Sequence, residues 1–109
     1  MTKLVDLDPG WVGHGGEDVF KVNADGSRSP IPYREKVGFS CDCPSGCGEP
    51  MFIPFENPED GGPAVVNPGQ HGWRREGTTF ETLTVTPSIQ RVGGCAWHGF
   101  LTNGIFRTA

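Results

Sequence analysis

Five of the residues best suited to chemistry fall in two short clusters, Cys41, Cys43 and Cys47 in the first and Cys95 and His98 in the second. The first cluster reads CDCPSGCG from Cys41 to Gly48. Cys43 and Cys47 stand across Pro44-Ser45-Gly46, a turn whose proline and glycine let backbone amides point at a thiolate and let the chain curl round an ion. The second cluster is Cys95-Ala96-Trp97-His98, preceded by Gly93-Gly94. Two close pairs about 50 residues apart are the usual economy of a structural zinc site, because each pair occupies one turn and the ion pins the turns together. The expected ligands are Cys43, Cys47, Cys95 and His98, holding Zn2+ in a closed tetrahedron with no position left for water. Cys41 is the alternative ligand; on an extended strand it faces the same side as Cys43, and it equally suits a buried small hydrophobe.

Three other chemistries use the same residues. A disulfide network needs an oxidising compartment. A thiol nucleophile Cys95 with His98 as base needs a dyad that is ordinarily assembled from distant segments. A catalytic zinc needs an open position, with Glu49 beside the cysteine turn as base. The structural zinc site is the expectation carried forward, with no catalytic residue assigned. His14 between glycines and His71 before Gly72-Trp73 read as loop residues, and the pairs Glu17-Asp18 and Glu59-Asp60 as solvated charges. No glycine loop has the strand, helix and lysine that cradle a phosphate.

The elements that must position these groups are short. The chain has 109 residues, 17 of them Gly and 10 Pro, and its hydrophobic fraction is 35%, so a modest core needs a staple. Three Trp, seven Phe and several β-branched runs nonetheless argue for a folded chain. A net charge of −4 and the absence of any basic run beyond Arg74-Arg75 argue against nucleic acid as a partner. Met1 to Gly10 has no apolar run, and no stretch reaches membrane-spanning length, so a cytoplasmic protein without a leader is expected.

No window sustains a helical period, and Gly or Pro interrupts every long stretch. The first 36 residues read as an irregular extension, with a flexible aromatic loop at Gly10–Gly16, a short strand at Asp18–Asn23 and a hairpin turn at Asp25-Gly26. Strands are expected at Lys36–Cys41, Met51–Phe55, Ala64–Asn67, Gly72–Glu76, Thr78–Val85, Trp97–Thr102 and Ile105–Thr108, with a polar loop at Glu56–Gly62. Asn103-Gly104 is the strongest hairpin signal of all. The expected fold is one all-β domain over 1–109, with a zinc-stapled core at 37–109: a small antiparallel sandwich or open barrel with long loops.

Three segments together resemble a family of small bacterial and phage proteins of unknown function. Some of these are encoded beside ubiquitin-like conjugation genes, and phage members often carry the label ammonia monooxygenase. The resembling segments are Cys43 to Gly48 with the following Trp73, Thr82 through Pro87-Ser88-Ile89, and Cys95 through His98 with Asn103-Gly104. The similarity spans about Gly38 to Arg107. Where that family has a middle cysteine this chain has Ser45, which implies that Cys43, Cys47, Cys95 and His98 are the shared ligands and Cys41 a spare. The functional expectation is a phage-encoded, zinc-stabilised protein-binding module that uses aromatic loops around Trp11 and Phe55 on a host or virion protein. The alternatives are a small zinc hydrolase or component of a ubiquitin-like modification pathway, and a capsid-decorating virion protein.

Overall fold

The computed structural model describes residues 2–66, 70–91 and 95–109, with the side chains of 16–19 outside the description. It is all-β, as the short, Gly- and Pro-punctuated runs require. The strands are β1 (Thr2–Lys3), β2 (Gly10–Val22), β3 (Arg28–Asp42), β4 (Pro50–Pro54), β5 (Arg74–Glu76), β6 (Thr84–Gln90), β7 (His98–Thr102) and β8 (Ile105–Thr108), with one 3-10 turn at Leu4–Asp6. They form two antiparallel sheets, one ordered β1-β8-β7-β6-β5 and the other β2-β3-β4. Among the described residues no helix is long and apolar enough to cross a membrane.

Both sheets feed one core. Phe39 and Ile53 from the three-stranded sheet meet Val85, Ile89, Leu101 and Phe106 from the five-stranded one, and Leu4, Phe55 and Leu83 fill the space between. Each of these side chains is at most 3% exposed. Burying a residue of this kind contributes about 1.5–3 kcal/mol, so this small set carries much of the hydrophobic stabilisation. A parallel bridge between Phe55 and Trp73 ties the end of β4 to the start of β5.

The β7–β8 hairpin follows its turn chemistry. Asn103 and Gly104 both take positive φ, 47° and 71°, as a two-residue type I′ turn demands. The Gly104 amide then donates to Leu83 O and its carbonyl accepts from Leu4 N–H, both at 2.8 Å, so the turn also anchors the N-terminus.

The N-terminal third differs from the irregular extension read in the sequence. Residues 10–22 and 28–42 pair as a long antiparallel ribbon closed by the Asp25-Gly26 turn. Its glycines masked the pattern, because glycine is depleted in strands and interrupts alternation. Here glycine is what lets the two strands approach: a Cβ at Gly13 would strike the Tyr33 ring, and one at Gly15 the Pro32 carbonyl. Three register shifts along the ribbon accommodate the irregular spacing. The expected strand at Ala64–Asn67 is not formed at 64–66, and Asn67 lies outside the described residues, as do Gly93-Gly94. The strand expected from Thr78 begins only at Thr84, since Thr82 N–H folds back onto Thr79 O at 3.2 Å in a turn.

Candidate functional site

The β6–β7 hairpin carries two polar side chains on one face. Along it Val85, Ile89, Trp97, Gly99 and Leu101 are buried, and the alternating positions Ser88, Gln90, His98 and Phe100 turn outward. The ladder pairs Ile89 with Gly99 and Gln90 with His98, which makes Ser88 the diagonal neighbour of His98. A register shift between Val85 and Ile89 sets Thr86-Pro87-Ser88 in a bulge, with a cis peptide at Thr86-Pro87. Bulges re-aim side chains, and this one brings Ser88 Oγ to 3.0 Å from His98 Nε2. Both residues are half-buried, so the pair is held yet accessible. Trp73 Nε1–H donates to the Ser88 carbonyl at 3.3 Å and fixes the serine backbone from the approach to β5.

The connection between β6 and β7 closes on itself, with Arg91 N–H donating to Trp97 O at 2.8 Å. Ala96 takes a left-handed φ of 51°. Trp97 plugs into the core, edge-on to Phe106 at 5.6 Å, with its indole N–H donating to Thr108 Oγ1 at 3.2 Å. This anchor separates the two ends of the C-x-x-H segment: His98 joins Ser88, and Cys95 turns to the other cysteines.

Cys43, Cys47 and Cys95 present sulfurs that all lie within 4.8 Å of one another. The Cys43 and Cys95 sulfurs are 3.5 Å apart, and Cys43 N–H donating to Glu49 O at 3.0 Å closes the turn that bears Cys43 and Cys47. Cys43 is buried at the base of the cluster, with Cys47 and Cys95 exposed above it. The Ser45 hydroxyl, foremost, and the Trp97 backbone hold the Cys95 thiol down at about 6; Ser45 and the Glu49 backbone lower Cys47 as well. Arg91 Nη1 lies 3.6 Å from both the Cys47 and Cys95 sulfurs, and the thiolates, Cys43 foremost, keep its guanidinium charged. Three soft sulfurs converging beside one cation are a donor set that fits a thiophilic divalent metal, zinc above all.

Three of the four expected ligands are thus brought together, and His98 stands outside the group, bonded to Ser88. Cys41 is 3% exposed within the core, and burial pushes its thiol up to about 12, which suits the small-hydrophobe reading. Glu49 pairs with Arg91 at 3.7 Å. All four thiols are free rather than bridged. The aromatic loops expected to be exposed are packed: Phe55 is 0% exposed, and Trp11 stacks on Phe80 at 4.2 Å. His14 sits on β2 opposite Arg34 rather than in a loop, and His71 leans on Trp73 at 5.3 Å. Ser88 was visible in the sequence only as part of the Pro87-Ser88-Ile89 segment; its relation to His98 depends on the hairpin register.

Comparison with protein families matches residues 22–109 to the bacterial ubiquitination-like system serine protease family, BubE. The chain belongs to this family. The BubE match takes in both the cysteine cluster and the Ser88–His98 pair, and leaves out β1 and nearly all of β2. No curated protein and no solved structure matches the chain.

Proposed function

We propose that this BubE-family chain is a serine peptidase with Ser88 as nucleophile and His98 as general base, acting on a protein of a ubiquitination-like system. The observation that supports it most is the 3.0 Å contact between Ser88 Oγ and His98 Nε2 on an accessible sheet face. In the neutral imidazole, Nε2 accepts the hydroxyl proton and the ring carries its own proton on Nδ1. Ser88 Oγ attacks the scissile carbonyl as His98 takes the proton. The same imidazolium then protonates the leaving amine, and water releases the acyl group by the reverse sequence. The Trp73 bond to the Ser88 carbonyl keeps the nucleophile from turning away. In a ubiquitination-like pathway such chemistry serves to trim a modifier precursor or to cut a modifier from its target; both are amide hydrolyses, and in each the protein partner is the substrate.

Zinc, held by the Cys43, Cys47 and Cys95 thiolates, has a structural part in this reading. It fastens the β6–β7 connection, which starts three residues after Ser88 and ends at His98, to the β3–β4 turn. A fluorophosphonate probe tests the assignment. Covalent labelling of the wild type at Ser88, lost in Ser88→Ala and much slowed in His98→Ala, is expected. Labelling that persists in Ser88→Ala, or a wild type that never reacts, would overturn it.

A further inference from the structure

The three sulfurs leave one corner of a tetrahedron open. Two thiolates on one zinc, with bonds of about 2.3 Å, stand about 3.8 Å apart, and the 3.5 Å between the Cys43 and Cys95 sulfurs is close to that spacing. Among the described residues no further His, Cys, Asp or Glu joins the group. His98 is engaged by Ser88, Glu49 by Arg91, and Cys41 by the core. One oxygen does face the cluster. Ser45 Oγ lies 3.0 Å from the Cys43 sulfur and accepts from Cys47 N–H at 3.3 Å.

We infer that Ser45 Oγ is the fourth donor, so that the metal sits in a three-sulfur, one-oxygen site. The inference rests on the metal reading above and goes beyond it in naming the last ligand. Charge balance favours it. Three thiolates on a divalent ion leave one net negative charge, and Arg91, 3.6 Å from two of the sulfurs, offsets one charge. A fourth thiolate would leave the site negative, whereas a neutral hydroxyl leaves it matched. The hydroxyl is also a weak ligand for a thiophilic metal, so the fourth corner exchanges with water more readily than the other three.

Cobalt(II) replaces zinc and reports its ligands by absorption, independently of catalysis. In the full-length protein, Ser45→Cys is expected to raise the thiolate-to-cobalt charge-transfer band by about a third, from three sulfurs to four, and to tighten cobalt binding. Ser45→Ala is expected to keep the three-thiolate intensity, alter the visible ligand-field bands, and weaken binding about tenfold. His98→Ala is expected to change neither. An unchanged charge-transfer band in Ser45→Cys, or ligand-field bands that respond to His98→Ala and not to Ser45→Ala, would overturn the assignment. A wild type that binds neither cobalt nor zinc would instead overturn the metal reading on which it rests.

Discussion

The hydrogen bond between Ser88 and His98 lies on a half-buried face, and a typical side-chain hydrogen bond contributes about 0.5–1.5 kcal/mol net to stability. A purely structural pair would therefore matter little to the fold and nothing to turnover. A catalytic pair separates the two effects. Ser88→Ala is expected to shift unfolding by about 1 kcal/mol or less and to cut amide hydrolysis by about a thousandfold or more, read from denaturant melts and turnover on one preparation. Cys41 supplies a second check at this scale. With 3% of its surface exposed, it should resist a thiol reagent in the metal-stripped, folded protein while the exposed Cys47 and Cys95 react, and become reactive only on unfolding. Early modification of Cys41 would place it at the cluster after all.

Among the elements, the β6–β7 hairpin matters most to the site. The bulge at Thr86-Pro87-Ser88 turns the serine hydroxyl toward β7, and Trp73 on the approach to β5 holds the serine carbonyl. Trp73 N–H donates to Pro54 O and Trp73 O accepts from Glu56 N–H, both at 2.8 Å, so this anchor is itself fixed to the other sheet. Trp73→Phe keeps an aromatic side chain, though a smaller one, and deletes the indole N–H donor. It is expected to lower kcat about tenfold, with KM and metal content nearly unchanged, and a loss confined to KM would argue against positioning. The β2–β3 ribbon shows the opposite economy. From Phe20 to Glu35 none of its residues is buried, and Phe20, Val22 and Tyr33 are exposed. Its base is tied to the 56–63 loop by Arg34, which donates to Asp60 at 2.7 and 2.8 Å. The Arg34 hydrogen bond holds the Asp60 carboxyl down at about 2, below its ordinary 3.8. A lowered folded-state value stabilises above the unfolded value and is lost as pH falls through the folded one, so the pair contributes at neutral pH and fades between about 4 and 2. Asp60→Asn is expected to flatten that part of the acid-stability profile, with only a small change at neutral pH because the pair is exposed.

For the whole molecule, the cysteine cluster is a cross-link between sheets. Cys43 and Cys47 flank the turn from β3 to β4, and Cys95 belongs to the connection from β6 to β7, so an ion bound by the three would join the three-stranded sheet to the five-stranded one. Structural zinc sites supply on the order of 10 kcal/mol of apparent binding free energy, comparable to the entire stability of a small domain. Chelation is therefore expected to lower the melting temperature sharply and to abolish hydrolysis, since Cys95 and His98 leave the same loop. His98→Ala should retain wild-type metal content and melting temperature. A chelator-treated, metal-free protein that melts unchanged would remove the cross-link from this account.

Local chemistry was legible in the sequence wherever a few adjacent residues decide the outcome. Asn103-Gly104 adopts the left-handed pair its residue types favour, the interrupting Gly and Pro residues exclude long helices, and Cys43, Cys47 and Cys95 converge as their turn-flanked spacing suggested. The Gly10–Gly16 strand was not legible, because the partner that makes it extended lies across a ribbon and leaves no alternation in its own residues. Nor was the packing of Trp11 and Phe55, which depends on Phe80 and Phe39 arriving from elsewhere in the chain. His98 shows the division most clearly. Its spacing from Cys95 allowed a shared metal, but the left-handed Ala96, the buried Trp97 and a bulged register on β6 turn it toward Ser88 instead. Residue spacing limits which groups can meet, whereas strand register and core anchoring select the face each presents, and those are properties of the assembled sheets alone.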